Sequence, residues 1–109
     1  MILLDTHIWV RWQNSPETLS ANILNLITES DELAVSAITC WEEEALAYTD
    51  NCISIDHGIL LLAASLPEHH RDPADRIIIA TAIANQAQLI SLDTQFSAYA
   101  ELENLLLPK

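Results

Sequence analysis

The sequence predicts an α/β fold: one domain over residues 1–109, with a parallel central sheet of four to five strands and helices on both faces. Short, continuous apolar runs such as Ile2, Leu3 and Leu4 have the pattern of strands buried on both sides. Longer stretches between them open on helix-start residues, among them Ser20, Thr39, Asp56 and Asp72. Only one glycine occurs in 109 residues. Strands alternating with helices in this way fit a parallel sheet covered on both sides.

Taken in order, Ile2 to Leu4 forms a first strand that stops at Asp5, which therefore sits at a strand's carboxyl end. Thr6 to Trp12 predicts a short helix over that strand, broken at Asn14, Ser15 and Pro16. Ser20 opens a second helix whose Ile23, Leu24, Leu26 and Ile27 make an apolar stripe ending near Ser30 and Asp31. Leu33 to Ser36 is the second strand. Thr39, Cys40, Trp41 and Glu42 match a T-x-x-E capping box, which predicts a third helix from there to about Tyr48. Cys52 to Ile55 reads as the third strand, and Asp56 caps a helix that runs to Leu66 and is closed by Pro67. Gln88 to Ser91 is the fourth strand, Thr94 to Ala100 a short helix, and Leu105 to Leu107 a candidate last edge strand.

Between these lies the stretch the chain is organised around, HHRDPADRIIIATA from His69 to Ala82. Asp72 before Pro73 is a helix start, since Asp accepts from orphan N–H groups and Pro at the first helical position loses no needed donor. Asp75 falls at the third helical position, where it either completes the cap or projects its carboxylate toward a cation. Ile77 to Ala84 is apolar around most of the helix, which suits burial against a sheet and another helix.

Composition narrows the function. Net charge is −12, with only Arg11, Arg71, Arg76 and Lys109 on the basic side. Broad non-specific nucleic-acid binding, which draws on many Lys and Arg contacts to phosphate, is disfavoured. A bound divalent ion can still supply the positive charge locally. The longest apolar runs, such as Ile59 to Ala64, fall far short of the roughly 20 residues that cross a bilayer. With no signal architecture at the N-terminus, the expected location is the cytoplasm, with no membrane partner. Cys40 and Cys52 follow neither a CxxC nor a metal-ribbon spacing and are expected to be reduced, mostly buried thiols.

Asp5, Glu42, Asp75 and Asp93 each fall just after a predicted strand or in the first turn of a predicted helix. In an open α/β sheet that edge is where ligands bind. Each acid alone also reads as a helix cap. Their joint placement changes the balance, because two carboxylates about 5 Å apart repel by roughly 3 kcal/mol at an effective dielectric near 20. Such a cluster protonates, spreads or binds a cation. Oxygen-only ligands suit a hard divalent ion, Mg2+ or Mn2+.

LLDTHIWVRW, SAITCWEEEAL, HHRDPADRIIIATA and ISLDTQF together resemble the VapC-like PIN-domain nucleases, in particular their bacterial toxin branch. The resemblance spans the chain from end to end. It implies a five-stranded parallel sheet and an acidic Mg2+ (or Mn2+) site made by Asp5, Glu42, Asp75 and Asp93, with Thr6 a supporting hydroxyl beside Asp5. It further implies hydrolysis of RNA phosphodiesters and inhibition by a cognate antitoxin, and it leaves pairing of two copies open. This chain departs from the family in the middle. Glu43 to Asn51 replaces a longer helical excursion and contains no Lys or Arg. A shortened, catalytically silent PIN domain that binds an antitoxin is therefore the alternative.

Arg71 and Arg76 are candidates for contact with substrate or partner, or for neutralising the adjacent acids. His69 and His70 are set aside as metal ligands because no third nitrogen or sulfur ligand has helpful spacing. Trp9, Trp12 and Trp41 are expected in the core.

Overall fold

A computed structural model describes residues 1–43 and 51–109. Four strands, β1 (Ile2–Leu4), β2 (Leu33–Ser36), β3 (Cys52–Ile53) and β4 (Gln88–Ile90), form one sheet in the order β3-β2-β1-β4. All three pairings are parallel, with Ile2 opposite Leu33 on one side and Gln88 on the other. Between the strands run α1 (Thr6–Asn14), α2 (Ala21–Glu29), α3 (Ala37–Glu43), α4 (His57–Ser65) and α5 (Pro73–Asn85). The α/β expectation holds.

The period-two alternation of the strands sorts the core into two apolar layers. Leu3, Ala34 and Leu89 face one layer, with Ile59 and Ala63 of α4, Ile78, Ile79 and Ala82 of α5, and Phe96. Ile2, Leu4, Val35 and Ile90 face the other, with Ile8 and Trp9 of α1 and Ile23 and Ile27 of α2. The central strand is buried at every residue. Helix α5 is apolar nearly all round because it lies between the sheet and α4, and its Ile78 to Ala82 are buried without a break. Gln86 closes it in the left-handed conformation, with its N–H accepted by the carbonyls of Ala82 and Ile83.

The caps at Ser20, Asp56 and Asp72 are where they were expected, each side chain accepting a first-turn backbone N–H. Thr39 is a correction. It lies inside α3 rather than capping it, since the helix begins at Ala37, where the Ser36 hydroxyl accepts from Ile38 N at 3.2 Å. Two short 3-10 helices, Thr94–Ala98 and Ala100–Leu102, replace the single helix expected near there. The third strand ends at Ile53, two residues early. Leu106 makes a single parallel bridge to Leu89, with Leu89 N to Leu105 O at 2.8 Å and Leu107 N to Leu89 O at 2.9 Å, so the fifth strand is reduced to a bridge. Trp9 is buried as expected, but Trp41 is 78% exposed, because the third helix turns its indole away from both layers. The expected end of that helix near Tyr48 lies outside the described residues, as does most of the shortened middle segment. Both cysteines are free thiols. Burial, and then Cys52 beside it, pushes the Cys40 thiol up to about 12, which keeps it protonated and unreactive. Among the described residues no helix is long and apolar enough to cross a membrane.

Candidate metal centre

The acids gather at the carboxyl edge of the sheet, where β1 and β4 end side by side. Asp5 follows β1 directly, and its N–H bonds to Ile90 O at 3.0 Å, which extends the β1–β4 ladder by one residue. Its side chain is 1% exposed. One carboxylate oxygen accepts from Thr6 N at 2.8 Å and caps α1; the other accepts from the Ser91 hydroxyl at 2.7 Å. Ser91 is itself buried and accepts from Asp93 N at 3.0 Å, so one hydroxyl ties the end of β1 to the turn carrying Asp93. Asp93 caps the following 3-10 turn through Oδ1, which accepts from Gln95 N at 2.9 Å. That leaves Oδ2 facing inward.

Asp75 stands in the first turn of α5, which the Asp72–Pro73 start aims at the same point. Between Asp75 and Asp93 lies His70, whose spacing along the chain gives no sign of this place. His70 Nε2 is 3.1 Å from Asp75 Oδ2 and 2.8 Å from Asp93 Oδ2. The three side chains place one donor atom each within 4.8 Å of one another. The two adjacent histidines before Asp72 were the available clue, but spacing along the chain could not show that Asp93, 23 residues on, would close on His70.

Glu42 lies farther out. It is exposed at the last described turn of α3, and its carboxyl is raised above the usual range by partial burial, then by Asp72 and Glu43, with the Thr6 hydroxyl opposing. Thr6 also shares a hydrogen bond with the buried Thr39 at 2.8 Å, which joins α1 to α3 beneath the site. The structure therefore brings Asp75 and Asp93 together around His70, with Asp5 buried nearby and held by Ser91 and Thr6, and Glu42 at the rim.

Arg76 points the other way. Its guanidinium donates to Ala63 O and Leu66 O at 2.7 Å, to Pro67 O at 3.1 Å, to His70 O at 3.2 Å and to Ala64 O at 3.5 Å. It gathers the carbonyls left over at the end of α4. Arg71 is exposed and, among the described residues, makes no hydrogen bond or ion pair. It borders a cleft of about 390 Å³ lined also by Ala64, Glu68, His70 and Arg76.

Electrostatically the corner is over-supplied with negative charge. Desolvation raises the Asp5 carboxyl, with the Ser91 hydroxyl and Thr6 N–H opposing it. Asp75 is raised from 3.8 to about 6 by burial, then by Asp5 and Asp72, with His70 opposing and Asp93 adding. Such a donor set of convergent carboxylates fits a hard divalent cation, which relieves the repulsion and needs few ligands beyond water.

A carboxyl raised in the folded state favours folding when protonated, so Asp75 contributes most below about pH 4, and the contribution is lost as pH rises through about 6. The two values differ by about 3 kcal/mol for a dry site, and the open mouth reduces this to on the order of 1 kcal/mol. Asp75→Asn keeps the size and an acceptor for His70. It is expected to raise the metal-free melting midpoint at pH 7 by about 5 °C and to flatten the profile between pH 4 and 6. Calorimetric melts across that range check it, and a mutant no more stable than the parent at pH 7 would refute the crowding of charge.

Residues 43–102 match the PIN domain family. The chain is 31% identical to Ribonuclease VapC22 of Mycobacterium tuberculosis (strain ATCC 25618 / H37Rv), over 90% of this chain and 91% of that protein. Its fold is similar to that of a chain of VapBC2 from Rickettsia felis, solved bound to a DNA fragment from its promoter. That match has a TM-score of 0.73 and 20% identity, and covers 98% of both chains. It is similar also to a chain of FitAcB from Neisseria gonorrhoeae, with a TM-score of 0.74 at 16% identity over 99% of this chain and 97% of the other. Sequence identity across nearly the whole length, a fold shared with these structures and acids at the expected sheet edge lead to one assignment: the chain belongs to the VapC-like PIN-domain family.

Proposed function

We propose that this chain is a metal-dependent endoribonuclease, the toxin of a type II toxin–antitoxin pair, which hydrolyses RNA phosphodiesters at the corner formed by Asp5, Asp75 and Asp93. The single observation that carries it is the gathering of these carboxylates at the carboxyl edge of the sheet, with Asp5 and Asp75 raised by burial first and by their acidic neighbours after it. The likeness to Ribonuclease VapC22 supports the activity, and a likeness in fold to a chain of a toxin–antitoxin complex from Klebsiella pneumoniae, with a TM-score of 0.69 at 22% identity over 99% of this chain and 97% of that one, supports an antitoxin as partner. The proposed ion is Mg2+ or Mn2+, and such a reaction takes place in the cytoplasm.

Asp75 and Asp93 would hold the ion through their inward oxygens, and buried Asp5 adds a fixed negative charge that Ser91 and Thr6 hold in orientation. Glu42 at the rim is placed to hold a water that the ion also binds. When bound, the ion polarises the phosphodiester and lowers the pKa of its own water. Exposed Arg71 stands at the adjoining cleft, where a guanidinium can pair with a backbone phosphate.

Grip on RNA is weaker than grip on metal. Each Lys or Arg contact to single-stranded phosphate adds about 0.7 to the salt slope of binding, and Arg76 is engaged by carbonyls. A fluorescent single-stranded RNA titrated at several salt concentrations should give a slope no steeper than about −2. Saturating Mg2+ at 100 times its dissociation constant should stabilise the fold by about 2.7 kcal/mol, a rise of about 15 °C in the melting midpoint. Cleavage of labelled RNA should require the divalent ion and stop on addition of the antitoxin. Full metal response without cleavage would instead identify a silent, antitoxin-binding PIN domain. A midpoint indifferent to Mg2+ and Mn2+ would remove the metal site altogether.

A further inference from the structure

We propose that His70 is a resident hydrogen-bond donor in the place a divalent ion must take between Asp75 and Asp93, and so sets the metal affinity of the site. The inference rests on the metal-site reading above. Four contacts hold the His70 ring and backbone in place. His70 N donates to the buried Tyr99 hydroxyl at 3.0 Å, and His70 O accepts from Arg76. The imidazole meets the Phe96 ring edge-on at a centroid distance of 6.0 Å. Asp72 N donates to Nδ1 at 3.2 Å. The ring is fixed from the backbone, from a flank and from its far nitrogen.

The last contact selects the tautomer. A nitrogen that accepts a backbone N–H carries no hydrogen of its own, so the ring hydrogen sits on Nε2. That hydrogen points to Asp93 Oδ2 at 2.8 Å and Asp75 Oδ2 at 3.1 Å. A hard ion that took these oxygens as ligands would compete for the space and lone pairs the N–H already uses. Direct ligation by Nε2 would first move the hydrogen to Nδ1, where it would confront the Asp72 N–H. Binding therefore displaces the donor rather than recruiting the nitrogen. In the meantime the N–H offsets part of the repulsion between the two carboxylates.

Removing the ring should lower metal-free stability and tighten metal binding together, a combination that neither a ligand nor a bystander produces. Isothermal calorimetry with Mg2+ on the whole chain should find His70→Ala binding about tenfold tighter than the parent, the worth of one charge-assisted hydrogen bond, with a lower melting midpoint in chelator. The backbone contacts of residue 70 survive this substitution. An unchanged or weaker affinity overturns the proposal, and a weaker one makes His70 a ligand. If neither protein takes up Mg2+, the metal site itself fails and the proposal with it, whereas failure of the proposal alone leaves the parent binding normally. Ring 15N chemical shifts of the parent give a second measurement that needs no variant. The Nε2–H form in chelator, perturbed on Mg2+ addition, is the expected result, and the Nδ1–H form in chelator overturns it.

Discussion

Replacing Asp5 by Asn is expected to slow RNA hydrolysis by about 10³-fold and to leave the protein at least as stable as the parent. Transition-state charge stabilisation by a bound metal amounts to several kcal/mol, and 4 kcal/mol is about 10³ in rate. Asp5 is where the loss should be greatest, because it is the most buried acid among the described residues and its charge acts on Asp75. The fold should tolerate the change. Asn retains an acceptor for Thr6 N, and the Ser91 hydroxyl can reverse its role toward the new NH2 group while still accepting from Asp93 N. Loss of a desolvated charge offsets any loosening. Single-turnover cleavage under saturating Mg2+, alongside a melt in chelator, tests both halves. Retention of more than a tenth of the parent rate would remove Asp5 from the reacting centre.

The second large effect is on stability. Arg76→Met is expected to cost about 3 kcal/mol, because it orphans carbonyls at the end of α4 that are bound at 2.7 Å. For a chain of this size that is a fall of about 15 °C in the melting midpoint. Arg76→Lys should recover only part, since an ammonium cannot span five acceptors with one planar fork. The damage should reach the site through His70, whose carbonyl shares the guanidinium. If Arg76 instead served phosphate, the Met variant would lose RNA affinity and keep its midpoint.

The contrast between Asp72 and Arg76 explains what was legible beforehand. Asp72 before Pro73 acts within one helical turn, so its cap could be read from two adjacent residues. The same holds for Ser20 and Asp56, and for the apolar run that buries β1. Arg76 reaches 13 residues back to Ala63, and Ser91 reaches 86 residues back to Asp5. Neither reach leaves a trace in local spacing. Acids at the sheet edge could be anticipated from strand ends and helix starts, and Asp75 and Asp93 close on one point there with Asp5 buried nearby. His70 could not, because its role depends on a turn that only the folded sheet brings near. Thr39 misled for a related reason: T-x-x-E looks like a capping box, yet Ser36 starts the helix and frees Thr39 to bond across to Thr6.

The pairing of β1 with β4 also governs when the acidic corner can first assemble during synthesis. The first strand off the ribosome is the central one, but its partner toward the acidic corner is the last strand made. Asp5 meets Ser91 only after 86 further residues have been translated, a delay of about 10 s at ordinary elongation rates. Until then no fragment of the nascent chain holds Asp5, Asp75 and Asp93 in one place. If the proposed ribonuclease activity holds, the nascent chain could not attack RNA before that pairing forms, and a cell would have the interval in which to ready the proposed antitoxin.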